Sequence, residues 1–342
     1  MIDLHLHTTA SDGEYNPKDV IKLAKENGVD TVAIADHDTV AGLEEAIEEG
    51  KKIGVEVISA VELNANVEKG KMHILGYYMD YKDAEFVKAM EFLRKDREDR
   101  NNEFIDEFHK QNVNITLEQV KKYAIGSIIA KPHFARALYD NGYIKDIEEA
   151  YTNYFNVPPM KNIKRQSITP KQAIELIKNA GGIAVIAHPV TLKLDDNELD
   201  EKIKELKRYG LDGMECYNNI HTKEDIAKLK EIANKNNMLI TAGSDFHGPI
   251  TTPGVIIGRG KDDNIIADIP DMLEKMKNKK VVMWTILLGM FTLRPFYFSI
   301  SFTSLWGVGF NSGNLSYIIF KEELITSSLD NVVVSNVAFG PL

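Results

Sequence analysis

The feature that most constrains this chain is an alternation. Short apolar runs ending in polar residues take turns with amphipathic stretches whose apolar residues recur every three or four positions. The apolar runs fall at residues 2–8, 31–35, 55–61, 72–77, 183–187, 213–216 and 239–242, and each has the length of a strand. Between several of them lie helical stretches at 17–27, 42–53, 170–180 and 223–236, with Pro17 and Pro170 near two of the starts, where proline is favoured. Strand alternating with helix implies a parallel sheet with helices packed against it. Seven such strands point to a barrel related to the eightfold α/β one.

Two regions break the rhythm. Residues 85–111 read as one long charged helix and 116–154 as further short helices, so residues 83–166 are expected to form an inserted helical subdomain, with the barrel at 1–82 and 167–280. Residues 281–342 carry only Arg294, Lys321, Glu322, Glu323 and Asp330 as formal charges. A membrane span needs about 20 apolar residues, and Arg294-Pro295 interrupts this stretch before either half reaches that length. We read it as an atypical extension outside the ancestral frame, with a membrane-associated tail as the lesser alternative.

Charge and cysteine content narrow the function. A formal net charge of -10 disfavours coating duplex DNA, which needs clustered Lys and Arg against phosphate. A small phosphorylated substrate stays open, because metal ions can supply local positive charge. The single cysteine, Cys216, allows no intrachain disulfide and fits a reducing cytoplasm. The start, Met1-Ile2-Asp3-Leu4-His5, has neither the basic nor the apolar region of a signal peptide.

Placing the polar residues on the strands gathers the chemistry. His5 and His7 stand at i and i+2 on the first strand, on one side of it, and Asp12 follows in the loop. The second strand ends in Asp36-His37-Asp38 and the third delivers Glu62. The fourth starts with His73, the fifth leads to His188-Pro189, and the seventh to Asp245-Phe246-His247. Barrel enzymes build their sites at the carboxyl ends of strands, where most of these groups fall. Singly, each has a bland explanation: Asp38 as a helix cap, Glu62 as a rim salt-bridge partner, a lone histidine as a satisfied core residue. Together His5, His7, Asp12, His37, Glu62, His73, His188, Asp245 and His247 give six imidazoles and three carboxylates. One zinc ion uses three or four protein ligands, so nine suit two or three metal ions that could clamp a phosphate together.

The segments His5-Leu6-His7-Thr8, Asp36-His37-Asp38, Val61-Glu62, His73-Ile74-Leu75-Gly76-Tyr77, Ala187-His188-Pro189 and Gly243-Ser244-Asp245-Phe246-His247-Gly248 occur in this order. Over residues 1–280 the chain resembles the polymerase and histidinol phosphatase (PHP) superfamily. That resemblance implies a distorted seven-stranded (β/α)7 TIM-like barrel with a trinuclear metal centre. It implies that His5, His7, Glu62 and Asp245 hold one metal, Asp12, His37 and His247 a second, and Glu62, His73 and His188 a third. Lys131-Pro132-His133-Phe134-Ala135-Arg136 resembles the Arg-Pro-His-x-Ala-Arg segment of the stand-alone branch acting on nucleoside 3',5'-bisphosphates and short RNA 5' ends. There basic residues of the insert meet phosphate, which makes Lys131, His133 and Arg136 candidate substrate contacts. Lys131 keeps charge but lacks the bidentate fork that Arg136 retains. The plainer reading of this segment is a helix start with Pro132 in its first turn.

The expected reaction is hydrolysis of a phosphoester by metal-activated water, with manganese first among the metals and iron, zinc or magnesium as alternatives. No protein nucleophile and no general acid are assigned, because a histidine bound to metal has no lone pair left for proton transfer. Competing expectations are a histidinol-phosphate-type phosphatase and a non-catalytic, metal-stabilised PHP module. His109 is expected to be solvated and Cys216 to be a buried strand residue. Thr222 is expected to cap a helix, with His221 beside it as a minor rim contact. The 161–165 run is expected to be mostly solvated.

Overall fold

The computed structural model describes residues 1–280 apart from 125, 166–167 and 267–271. The atypical stretch at 281–342, with the expectations attached to it, lies outside the described residues. Among the described residues no helix is long and apolar enough to cross a membrane.

The alternation produces β1 (Ile2–Leu6), α1 (Pro17–Glu26), β2 (Thr31–Ile34), α2 (Leu43–Ile53), β3 (Glu56–Ala65) and β4 (Met72–Tyr77) before the insert. After it come α7 (Pro170–Asn179), β5 (Ile183–Ile186), α8 (Asp196–Arg208), β6 (Gly213–Asn218), α9 (Lys223–Lys235) and β7 (Leu239–Gly243). Local chemistry sets the helix starts. Asn16 accepts from the Asp19 amide ahead of Pro17, and Thr169 and Thr222 form reciprocal capping boxes with Gln172 and Asp225.

The seven strands make one sheet in the order β1 to β7. It curls until β1 meets the chain just past β7: the Asp245 amide donates to the His5 carbonyl at 2.8 Å, and the His7 amide to the Phe246 carbonyl at 3.0 Å. Period-two alternation separates two cores. Ala33, Ala35, Ile58, Ala60, Leu75, Tyr77, Ile183 and Val185 fill the barrel, with Met272 and Met276 of the helical stretch 272–280 packed among them. Val32, Ile34, Leu63, Ile74, Ala184 and Ile186 face outward onto the buried sides of the surrounding helices.

The expectation of a wholly parallel sheet needs correcting. β4 runs antiparallel to both neighbours, with Asn64 opposite His73 and Ile74 opposite Ile186. The link from Ala65 to Met72 is too short for a crossover, which takes a dozen or more residues, so the chain turns straight back. This reversal explains why His73 opens its strand. The start of β4 lies at the same end of the barrel as the carboxyl ends of its parallel companions.

The inserted segment comprises α3 (Ala84–Lys110), α4 (Leu117–Lys121), α5 (Lys131–Asp140) and α6 (Ile147–Ala150). α3 belongs to two cores. Phe86, Met90 and Leu93 pack with the barrel helices, whereas Phe104 and Phe108 join Phe134, Phe155 and Leu138 in a separate cluster. Phe104 meets Phe134 edge-on at 5.6 Å and Phe155 at 5.3 Å, geometries that favour aromatic pairs. The far end of the insert is tied to the barrel by backbone. Ser127 N donates to Thr9 O and Ile128 N to Ser11 O, both at 2.9 Å.

Candidate metal centre

Glu62 continues the inward series Ile58, Ala60, Glu62 along β3, and His73 opens the inward series His73, Leu75, Tyr77 along β4. Both therefore stand on the layer of apolar side chains that fills the barrel. His5 and His7 arrive from β1, and His37, His188, Asp245 and His247 from just beyond β2, β5 and β7. Glu62 is fully buried and touches five imidazoles. Its Oε2 lies 3.3 Å from His5 Nε2, 3.3 Å from His7 Nε2 and 3.0 Å from His37 Nδ1. Its Oε1 lies 2.7 Å from His73 Nδ1 and 2.8 Å from His188 Nε2. Asp245 Oδ1 sits 3.2 Å from His7 Nε2 and 3.5 Å from His5 Nε2, and Asp12 Oδ1 sits 3.4 Å from His247 Nε2.

Three overlapping groups of donor atoms converge closely enough to hold a cation: His5, His7, Glu62 and Asp245; His7, Asp12, His37 and His247; and His37, Glu62 and His73. The first matches the set implied by the PHP resemblance, and the second adds His7 to its set. The third draws on His37, while His188 approaches through Glu62 Oε1.

The chemistry of the donors fits a metal. His5 Nε2, both ring nitrogens of His7, Asp12 Oδ1, His37 Nδ1 and Glu62 Oε2 are buried without a hydrogen-bonding partner. Buried polar atoms are normally satisfied, and so many orphaned lone pairs within one small volume are what a coordination site presents. Electrostatics agree. Burial drives His7 towards neutrality, but Asp245 and Glu62 overcome it and push its pKa up to about 10. Burial opposes the charge of Glu62 and Asp12 too, yet the surrounding imidazoles hold both carboxyls well below their usual range. The cluster favours positive charge at its centre, as a divalent cation would supply.

Residues around the ligands orient them. Glu215 is fully buried in β6. Its Oε1 accepts from His5 Nδ1 at 2.9 Å, and its Oε2 accepts from the His188 amide at 2.8 Å and from Asn218 Nδ2 at 3.0 Å. A histidine ligand commonly gives its second nitrogen to a carboxylate in this way. Asp36 shapes the loop carrying Asp12, accepting from the Thr8 amide, Thr8 Oγ1 and Ser11 Oγ. Asp3 accepts from the Ser244 and Gly258 amides, each at 2.8 Å, and burial raises its pKa to about 6. Glu215 and Asp3 were missed in the sequence. Their available signal was a carboxylate flanked by apolar residues within a strand, Asp3 between Ile2 and Leu4 and Glu215 between Met214 and Cys216.

Asp38 does not cap a helix. It adopts a left-handed backbone, with φ 54°, and binds the Asn64 amide and Asn64 Nδ2. Its Oδ2 also meets Arg97 at 2.7 Å and Arg165 at 3.0 Å. Arg165 is thus a part-buried ion-pair partner, the exception in a 161–165 run whose Lys161 and Lys164 are exposed as expected. Thr222 does cap α9, and Cys216 is buried. His221 is buried as well, with Nδ1 on the Cys216 carbonyl. His109 is exposed but pairs with the Ile115 carbonyl.

The three candidate substrate contacts go different ways. Lys131 sits half-buried over the rings of Phe104 and Phe155. His133 uses Nδ1 to accept the Ala130 amide at the start of α5. Arg136 lies on the exposed face of α5, paired with Asp140 at 3.1 Å and set over the Tyr139 ring. A cavity of about 420 Å³ opens beside His37 between barrel and insert, lined by Asp38, Arg97, Asn101 and Ser127 among others.

A 5'-3' exoribonuclease from Haemophilus influenzae is 33% identical over 247 residues, covering 72% of this chain and 90% of the relative. A 3',5'-nucleoside bisphosphate phosphatase from Chromobacterium violaceum is 27% identical over 249 residues, covering 72% and 87%. The solved structure of a protein assigned as a metal-dependent phosphoesterase, from Bifidobacterium adolescentis, superposes with a TM-score of 0.64 at 29% identity, covering 80% of this chain and 94% of the other. The profile of the PHP domain matches residues 3–283, and with its ring of histidines and carboxylates at the barrel mouth the chain belongs to the PHP domain family.

Proposed function

We propose that this protein is a metal-dependent phosphoric ester hydrolase acting on small nucleotides of the 3',5'-bisphosphate type or on the 5' ends of short RNA. The carrying observation is the set of three overlapping donor groups that share His7, His37 and Glu62. In this reading His5, His7, Asp12, His37, Glu62, His73, His188, Asp245 and His247 hold two or three divalent ions, manganese foremost. When bound, those ions neutralise phosphoryl oxygens and make water a stronger nucleophile at neutral pH. The chain's own task is orientation. Glu215 fixes His5 and the backbone at His188, and Asp36 fixes the loop of Asp12.

Residues 83–166 act as a lid on the substrate side, with Lys131 and His133 on its α5. The names of the relatives support a nucleotide or RNA substrate. A histidinol-phosphate-type activity and a non-catalytic module are the other readings. The convergence of all nine candidate ligands speaks against the non-catalytic module, and the likeness of the 131–136 segment to the nucleotide-acting branch disfavours the histidinol-phosphate type. The single buried thiol, Cys216, supports a reducing, cytoplasmic setting.

The test is a side-by-side assay of manganese-loaded protein on adenosine 3',5'-bisphosphate, histidinol phosphate and a 5'-phosphorylated trinucleotide. Preference for the first or third supports the proposal. Preference for histidinol phosphate moves the substrate, and release of neither phosphate nor mononucleotide from any of them overturns the activity.

A further inference from the structure

Glu14 stands two residues past Asp12 and grips the loop that follows β7 with both backbone and side chain. Its amide donates to the His247 carbonyl at 2.7 Å. Its Oε1 accepts from the Ile250 amide at 2.9 Å and from the Thr251 amide at 2.5 Å, with Oε2 3.2 Å from the first. Amide bonds to a charged acceptor are among the stronger hydrogen bonds. Gly248 makes room for this reach: it has φ 123°, and a Cβ there would stand 2.5 Å from Glu14 Cδ. Pro249, Ile250 and Thr251 are exposed, Ile250 by 78%, so apolar burial does not hold these three residues in place. Thr252 closes the loop on itself, accepting from the His247 amide at 3.1 Å and donating to the Gly248 carbonyl at 2.9 Å. Glu14 ties that closed loop to the segment carrying Asp12.

Asp12 and His247 meet in one of the three donor groups, that of His7, Asp12, His37 and His247, and in neither of the others. Asp245 belongs to a different group and is anchored separately, by its amide on the His5 carbonyl. We propose that Glu14 is a positioning residue, whose carboxylate latches the loop of His247 to the loop of Asp12 and so tunes one metal position independently of the rest. The inference rests on the metal reading of this centre. Without the latch, the amides it releases belong to exposed residues and pass to water, so the fold should survive. What is lost is the fixed spacing of the two ligands, now 3.4 Å between Asp12 Oδ1 and His247 Nε2.

The experiment titrates the metal-free whole chain with manganese and follows the free ion by electron paramagnetic resonance, which gives the number of ions bound and the affinity of each. Glu14→Ala should weaken one ion by about tenfold or more, the lower range for losing an orienting partner, and leave the others within about threefold. Glu14→Gln, which keeps an oxygen for both amides, should recover part of that loss. Ile250→Ala, which keeps its amide and drops an exposed side chain, should bind manganese as the native protein does. On a His247→Ala background, Glu14→Ala should add less than about threefold, because the spacing it sets no longer joins two ligands. Equal weakening of every ion, native binding by Glu14→Ala, or an undiminished loss on the His247→Ala background would overturn the proposal. Native protein that binds fewer than two manganese ions would overturn the multinuclear reading and this assignment together. Selective loss of one ion in a protein that hydrolyses no ester would support the latch while overturning the proposed activity.

Discussion

Glu215 Oε1 lies 2.9 Å from His5 Nδ1, and the pair is wholly buried. That contact fixes which nitrogen of His5 is free, since Nδ1 donates to the carboxylate and Nε2 turns towards Glu62 and Asp245. The other oxygen of Glu215 holds the His188 backbone, so one side chain of β6 orients ligands arriving from β1 and β5.

Glu215→Gln should therefore fold but bind metal more weakly. The amide nearly preserves shape yet removes the charge behind His5, and the loss of such a partner typically costs about 10–100-fold in metal affinity or activity. Competition with a chelator of known affinity measures it. Native metal affinity in the variant would show that Glu215 is only a packing residue.

His7 participates in two of the three donor groups and Asp245 contacts three of the imidazoles. His7→Ala and Asp245→Ala should each lower turnover beyond the about 100-fold upper range for losing an orienting partner. Circular dichroism should show the fold retained. Near-normal turnover in either variant, with manganese restored, would remove that residue from the centre.

Asp3 predicts a pH dependence of stability. Its pKa is about 6 in the folded protein, raised by burial from 3.8. The native state thus binds the Asp3 proton more tightly than the unfolded state, and stability from this group is present below about pH 4 and lost as pH rises through about 6. The stability advantage of the native protein over Asp3→Asn should shrink by about 2 kcal/mol between pH 4 and 7, given 1.36 kcal/mol per pKa unit. Urea unfolding midpoints across that range test it, and a pH-independent difference would contradict it.

Gly126 makes a close approach that no side chain tolerates. A Cβ there would overlap the carbonyl of Ser11, one residue before Asp12. Gly126→Ala should cost about 1–3 kcal/mol, the usual range for overpacking, and should weaken metal binding by displacing the Asp12 loop. Chemical denaturation and metal titration report the two effects separately. An unchanged metal affinity would mean that the insert and the Asp12 loop move independently.

Most of the barrel was legible because hydrophobic period reports local structure directly; His5 and His7 could be picked out by their i, i+2 spacing along β1, and Glu62 and Asp245 by their places at the ends of apolar runs. The antiparallel turn of β4 was not read, although the shortness of the link between Ala65 and Met72 carried the signal. Glu215 escaped because a carboxylate in a strand announces burial without naming its partner, and the histidine it orients is 210 residues away. Arg97 and Arg165 escaped for a similar reason. In a charged helix or a basic run nothing local separates a solvated guanidinium from one buried against Asp38, since that distinction is tertiary. Arg136 shows the converse: a motif position drew attention, yet the helix turns its side chain to the exposed face.

The most direct test of the account is phosphate release from adenosine 3',5'-bisphosphate by one preparation in three states: as purified, stripped with chelator, and restored with manganese, each beside Asp245→Ala. The account predicts turnover that disappears on stripping, returns with manganese and never arises in the variant. Turnover that survives complete stripping, or that Asp245→Ala retains, would contradict the claim that these side chains hold the metal that makes this chain a phosphoesterase.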